Sequence, residues 1–295
     1  MDAPRIPGVR LERNGSVAVI EFAENTMNRR FVGWLEFVLN WADSVNSLRA
    51  LVFTGMRRVF MTGADLIELR QLRTMADIDD FLRIPHQLMR RIANDARLTV
   101  AAINGHCLGG GLELACICDY RIAAADFREA DGAGRGECRG TLGFPEVRLG
   151  LVPALGGVFS ASRLAGNGAF NLLATGRSIT AEEGLCMGLV DEVVDRAELA
   201  SRALAFCDEV LANPRSATAS LKRLLCGEWA GRAFSNALDQ AKIEFAQCCA
   251  NPEKDERIAA ARGAMADSFR RGVAERPAAR AAVARSTASE WLPRA

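Results

Sequence analysis

Residues 104–115 read NGHCLGGGLELA. Three consecutive glycines weaken any helix or strand, because glycine loses the most backbone freedom on ordering. Two residues beyond the last of them, Glu113 interrupts an apolar run. The stretch follows LTVAAI, a β-branched run that reads as a strand, and leads into a helix expected from about Gly110. There the glycines let the backbone approach a bound group, with an amide N–H exposed at a helix N-terminus. A tight turn with positive φ is the simpler alternative. Glu113 falls in the first helical turn, where the helix dipole favours a carboxylate. Yet Leu112, Leu114, Ala115, Cys116 and Ile117 make the helix apolar all round, so it is expected to be buried. A buried glutamate needs hydrogen-bond partners or a function.

Outward from this stretch the chain alternates strands and helices. SVAVIEF (residues 16–22) and RALVFTG (49–55) read as strands, as does DYRIAAA (119–125). From Arg30 to Val45 the residues Phe31, Trp34, Leu35, Val38, Trp41, Ala42 and Val45 recur every three or four positions, an amphipathic helix. Residues 76–95 read as another helix. GADLIELR opens one after a glycine turn, with Asp65 near its start. Residues 149–157, LGLVPALGG, form a turn-rich loop before a short helix. TAEEGLCMGLVDEVV gives a capped helix and then the last strand. The class is α/β, with a loosely recurring strand–turn–helix rhythm and only helices past about residue 196.

The 295 residues carry a net charge of +1 and 49% hydrophobic residues, an ordinary globular composition. Nothing at that level points to nucleic acid or an anionic membrane. The polar N-terminal stretch lacks a signal-like apolar core, and no run is long and apolar enough to span a bilayer. A cytoplasmic location is expected, with most of the nine cysteines as small buried hydrophobes. With no CxxC pair and only His86 and His106, no metal site is expected. Cys107 beside His106 is read as a packed thiol and a satisfied imidazole, because neighbours at a strand end point opposite ways.

Two further segments are weak alone. FMTGADL (60–66) places a glycine turn before a helix, with Ala64 at the junction. GFPEVRLGL (143–151) sets Glu146 after a proline in apolar surroundings. Taken in order, GADL, NGHCLGGGLELA with CDYRIAA, GFPEVRLGLVPALGG and TGRSITAEEGLCMGLVDEVV resemble the enoyl-CoA hydratase/isomerase (crotonase) family over roughly residues 10–230.

The resemblance implies a crotonase-like spiral of ββα units over residues 1–195. A C-terminal helical region, 196–295, would serve oligomerisation. It implies an acyl-CoA substrate, no cofactor, and a homotrimer or hexamer. The thioester oxygen would meet an oxyanion hole made by the amides of Ala64 and Gly110. Glu113 and Glu146 would hold one water and add it reversibly to a 2-enoyl-CoA, making the protein a hydro-lyase. Relatives that only isomerise commonly keep just the carboxylate matching Glu146. Asp65, Leu66 and Ile67 join Ala64 in matching the stretch along the adenine and pantetheine path. Ala154 stands where the family has a glycine whose amide helps hold the water. Arginines are expected to meet the CoA phosphates, and Arg276–Pro277 weakly resembles a basic C-terminal segment. Residues 127–139 are additional to the family pattern, either a lid on the acyl pocket or a surface excursion. Phe234, Leu238, Ile243 and Phe245 must bury either in a subunit interface or on their own core. Two alternatives stay open. One is a dehydratase, isomerase or decarboxylase acting on another acyl-CoA or carrier-protein thioester. The other is a binding protein of this fold without catalysis.

Overall fold

The computed structural model describes residue 4 and residues 6–125, 141–226 and 232–274; residues 127–139 and Arg276–Pro277 lie outside them. A hairpin of β1 (Val9–Asn14) and β2 (Val17–Phe22) leads to α1 (Arg29–Ser44). Then come β3 (Ala50–Gly55), β4 (Val59–Met61), α2 (Leu66–Gln71) and α3 (Met75–Ala93). The pattern repeats with β5 (Leu98–Ile103), β6 (His106–Leu108) and α4 (Gly110–Ile117). It repeats again with β7 (Tyr120–Ala124), β8 (Leu142–Gly143), a 3-10 turn (Pro145–Leu149), α5 (Gly157–Ala165) and α6 (Gly168–Thr175). After β9 (Ser178–Ile179), α7 (Ala181–Met187) and β10 (Glu192–Val194), the described chain is helical. Those helices are α8 (Leu199–Leu211), α9 (Arg215–Cys226), α10 (Arg232–Ala250) and α11 (Glu253–Ala274).

β1 and β2 both belong to the larger sheet, and each later turn (β3-β4, β5-β6, β7-β8) gives its first strand to that sheet and its second to a smaller one. The larger sheet has the order β1-β2-β3-β5-β7-β10, the smaller β4-β6-β8-β9. From β2 to β10 the larger sheet is parallel, with Val19 opposite Val52 and Val52 opposite Val100. Its strands are covered on both sides, which is why they read as unbroken apolar runs. Ile20, Leu51, Phe53, Ala101 and Ile103 face the main core. Val19, Ala50, Val52, Val100 and Ala102 face a second core closed by Leu199, Ala203 and Cys207 of α8.

The spiral matches the expected fold class, and the alternation continues into a helical C-terminal region. β1 is an edge strand with few buried side chains, so it carries little apolar pattern. Phe234, Leu238 and Phe245 pack into the chain's own main core, and Ile243 remains 43% exposed. α11 is fixed to α2 by Lys254, which is fully buried and donates through Nζ to the carbonyls of Leu69 (3.2 Å) and Leu72 (2.6 Å). Among the described residues no helix is long and apolar enough to cross a membrane.

Candidate active site

α4 is buried along its whole length, Glu113 included. The three glycines before it do different things. Gly109 adopts φ 53 and ψ −128, which side-chain-bearing residues rarely reach. A Cβ there would also stand 2.7 Å from Glu146 Oε1. Gly110 begins the helix. At Gly111 a Cβ would come within 2.5 Å of the Met61 carbonyl oxygen, so its absence lets α4 close on β4. On the facing segment a Cβ on Gly63 would lie 3.3 Å from the Gly110 nitrogen. The Ala64 and Gly110 amides therefore come to neighbouring parts of one wall. Neither donates to an acceptor among the described residues.

Glu113 is held by the loop that precedes α5. Its Oε1 accepts from the backbone N–H of Leu155 (2.8 Å) and of Gly157 (2.7 Å). Burial pushes its carboxyl up to about 7, and the two N–H donors hold it from going further. Glu146 sits in the 3-10 turn after Phe144. Although the residue as a whole is only half-buried, its Oε2 is shielded from solvent and has no hydrogen-bond partner. Burial raises its carboxyl well above the usual range, and the nearby charge of Glu113 adds to this. Burial pushes both carboxyls toward the protonated form, and only Glu113 has backbone N–H donors that favour its anion.

Both glutamates line one cavity of about 640 Å³, together with Ala64, Leu66, Gly110 and Ala154. Asp65 and Ile67 stand outside its lining. Asp65 caps α2 by accepting from the Ile67 amide at 2.7 Å, and Ile67 is 52% exposed. The Ala154 carbonyl bonds to His86 Nε2 at 2.7 Å. His86 is buried on α3, and burial lowers its pKa, so the ring is neutral and its Nε2–H is the donor. Sequence reading gave His86 no role in the site. Its only signal was a histidine on an apolar helical face. It also missed the apolar wall from Val32, Phe81, Leu82, Phe245 and Met265, which belong to α1, α3, α10 and α11. Arg29, Arg83 and Arg148 also line the cavity, as does Asp80, which pairs with Arg29 at 2.9 Å.

Cys107 is fully buried, and burial drives its thiol well above its ordinary value, so it is no nucleophile. Among the described residues no three His, Cys, Asp or Glu side chains gather closely enough to hold a metal ion.

Known proteins resemble this chain in sequence and in fold. The family described as enoyl-CoA hydratase/isomerase matches residues 12–256. A short-chain-enoyl-CoA hydratase of Clostridium acetobutylicum is 33% identical over 211 residues, which span 70% of this chain and 76% of that protein. An enoyl-CoA hydratase structure from Bacillus anthracis superposes with a TM-score of 0.67 at 26% identity, covering 79% of this chain and 89% of that one. The human mitochondrial delta3-delta2-enoyl-CoA isomerase shares the fold with a TM-score of 0.77 at 24% identity, covering 88% and 99%. With two unengaged amides beside a pair of buried glutamates on a ββα spiral, and a family match across most of its length, the chain belongs to the enoyl-CoA hydratase/isomerase family.

Proposed function

We propose that the protein is an enoyl-CoA hydratase that adds water reversibly across the α,β double bond of a 2-enoyl-CoA. The observation that carries this reading is the pair of carboxyls, Glu113 and Glu146, which line one cavity, are both pushed toward the protonated form, and differ in that only Glu113 accepts from backbone amides. Water addition needs a base and an acid at the same moment, whereas moving a double bond needs only one group that shuttles a proton. Glu113, stabilised as an anion by the Leu155 and Gly157 amides, takes a proton from the water as its oxygen bonds to Cβ. Glu146 delivers its proton to Cα. Between these events the thioester oxygen carries negative charge, and the Ala64 and Gly110 amides face it. These donors are fixed before the charge appears, so they need no reorganisation. The Ala154 methyl leaves its amide in place beside the water. Arg29, Arg83 and Arg148 are the cations nearest to hand for the CoA phosphates.

The test is Glu113→Gln and Glu146→Gln, assayed by loss of the conjugated thioester absorbance of a 2-enoyl-CoA. Each variant should fold normally and lose about two to four orders of magnitude in kcat/KM. Near-wild-type hydration in either variant overturns the two-carboxylate reading. Conversion of 3-enoyl-CoA with no hydration by the wild type would replace it with an isomerase, and turnover of carrier-protein thioesters alone would change the substrate class.

A further inference from the structure

The Gly110 and Ala64 amides belong to peptide units that are held in different ways. In a trans peptide the C=O and N–H point in opposite directions, so whatever binds the carbonyl also aims the N–H. The described residues contain no cis peptide bond. The Gly109 carbonyl accepts from the Glu113 amide at 3.0 Å. That bond belongs to the first turn of α4, so the helix itself aims the Gly110 N–H. The Gly63–Ala64 peptide has no such helix, because α2 begins only at Leu66 and Asp65 is its cap. Gly63 precedes it at φ 90, and a glycine there sets little steric limit on rotation of the peptide.

The contact that stops this rotation comes from Met27. Its N–H donates to the Gly63 carbonyl at 2.8 Å, and Met27 and Ala64 form an isolated parallel bridge. The same short segment is tied once more, because the Asn25 carbonyl accepts from the Thr62 N–H at 2.7 Å and from Thr62 Oγ1 at 2.8 Å. On its other side the segment is anchored in the core. Asn28 caps α1 by accepting from the Phe31 amide at 2.9 Å, and Phe31 and Leu35 are fully buried. The Met27 side chain is buried too, and it reaches the second amide: a Cβ on Gly110 would stand 3.5 Å from its Sδ.

We propose that Met27 is a positioning residue for the reaction. Its main-chain N–H fixes the Gly63–Ala64 peptide, so that the Ala64 N–H points at the thioester oxygen before substrate arrives. This role rests on the assignment of Ala64 and Gly110 to that oxygen. A bond accepted at the carbonyl also polarises the peptide and strengthens its N–H as a donor. α1 thereby takes part in the site through one main-chain bond.

The test replaces Met27, in the full chain, by its α-hydroxy analogue. The 26–27 amide becomes an ester, the side chain stays, and the N–H is lost. Butyryl-CoA labelled with carbon-13 at the thioester carbonyl has no double bond to hydrate, so it reads the donors apart from the chemistry. Its C=O stretch should fall to lower frequency on binding the wild type, and the Met27 ester should lose most of that shift. With a 2-enoyl-CoA the ester should lower kcat about 10- to 100-fold with KM little changed, less than the ~10²–10³ that removal of a whole oxyanion donor costs. An ester at Asn28 removes the neighbouring bond from its N–H to the Thr26 carbonyl (3.1 Å) and leaves Gly63 engaged, so it should keep the shift. Thr62→Val loses the hydroxyl bond to Asn25 and should reduce both shift and kcat by less, and Thr62→Ser should restore them. A full shift in the Met27 ester, or the same loss of shift in both esters, would overturn the role of Met27 and leave the oxyanion assignment standing. If the Met27 ester does not fold, equal shifts in wild type, Thr62→Val and Thr62→Ser would overturn it instead. No shift in the wild type would overturn the oxyanion assignment and the role of Met27 with it.

Discussion

At Glu113 and Glu146 the same burial that suits the chemistry works against stability. A carboxyl whose folded-state pKa is raised binds its proton more tightly folded than unfolded, so stability falls as pH rises from the unfolded pKa to the folded one. For Glu113 that window runs from 4.5 to about 7. For Glu146 it opens at the same ordinary value and extends higher. Glu146→Gln should therefore raise Tm by a few degrees at about pH 8, with the gain fading toward pH 5. A Tm difference independent of pH, followed by thermal denaturation, would contradict this. Activity should run the other way at its lower limb. Because Glu113 acts as an anion, kcat/KM should rise with pH through about 7, then fall once Glu146 loses its proton. The limbs belong to the pair rather than to either residue alone. His86 acts one step further out, through the Ala154 carbonyl, on the loop that offers Leu155 and Gly157 to Glu113. His86→Leu should lower kcat by about 10- to 100-fold with KM little changed. His86→Gln, which can still donate, should recover most of the loss. Equal loss in both would mean that His86 only fills space.

At the scale of elements, helix ends are set by side chains whose removal can be measured. Thr74 accepts from the Asp77 amide while the Asp77 carboxylate accepts from the Thr74 amide, closing the start of α3. Thr74→Ala should cost about 1 kcal/mol in denaturant unfolding. A change within error would show that α3 is held by packing alone. The same elements show what the sequence carried. α1 was legible because Phe31, Leu35, Val38 and Ala42 repeat at helical spacing and all turn inward. β2, β3 and β5 were legible because both faces are covered. β4, β6, β8 and β9 were not, since strands of two or three residues are too short for any period, and only their pairing defines them. NGHCLGGGLELA announced a turn, an exposed amide and a buried charge. That the charge is satisfied by Leu155 and Gly157, 42 and 44 residues on, is a tertiary fact with no local signature. His86 was missed for the same reason.

For the whole molecule, we propose a homotrimer or a hexamer of two trimers. The earlier warrant, Phe234, Leu238 and Phe245, falls away because all three pack inside their own subunit. In its place stand Phe170, 79% exposed, and Leu224, 83% exposed, large apolar side chains that a monomer would leave in water. Light scattering at micromolar concentration should report a multiple of three, and a monomer would reject this. We also propose that the described helices α8 to α11 act less as a separate unit than as closure for the core. α8 covers the outer face of the large sheet, and Phe245, Ala261 and Met265 complete the cavity wall. The attachment of α11 through Lys254 then bears on how the protein is made. A ribosome-bound chain that has reached Ala250 already holds both glutamates and both amides. It still lacks Lys254, Ala261 and Met265, so one side of an apolar chamber stands open to chaperones. Competence arrives with α11, and a nascent chain stalled before it should be captured by hydrophobic-binding chaperones and turn over no substrate.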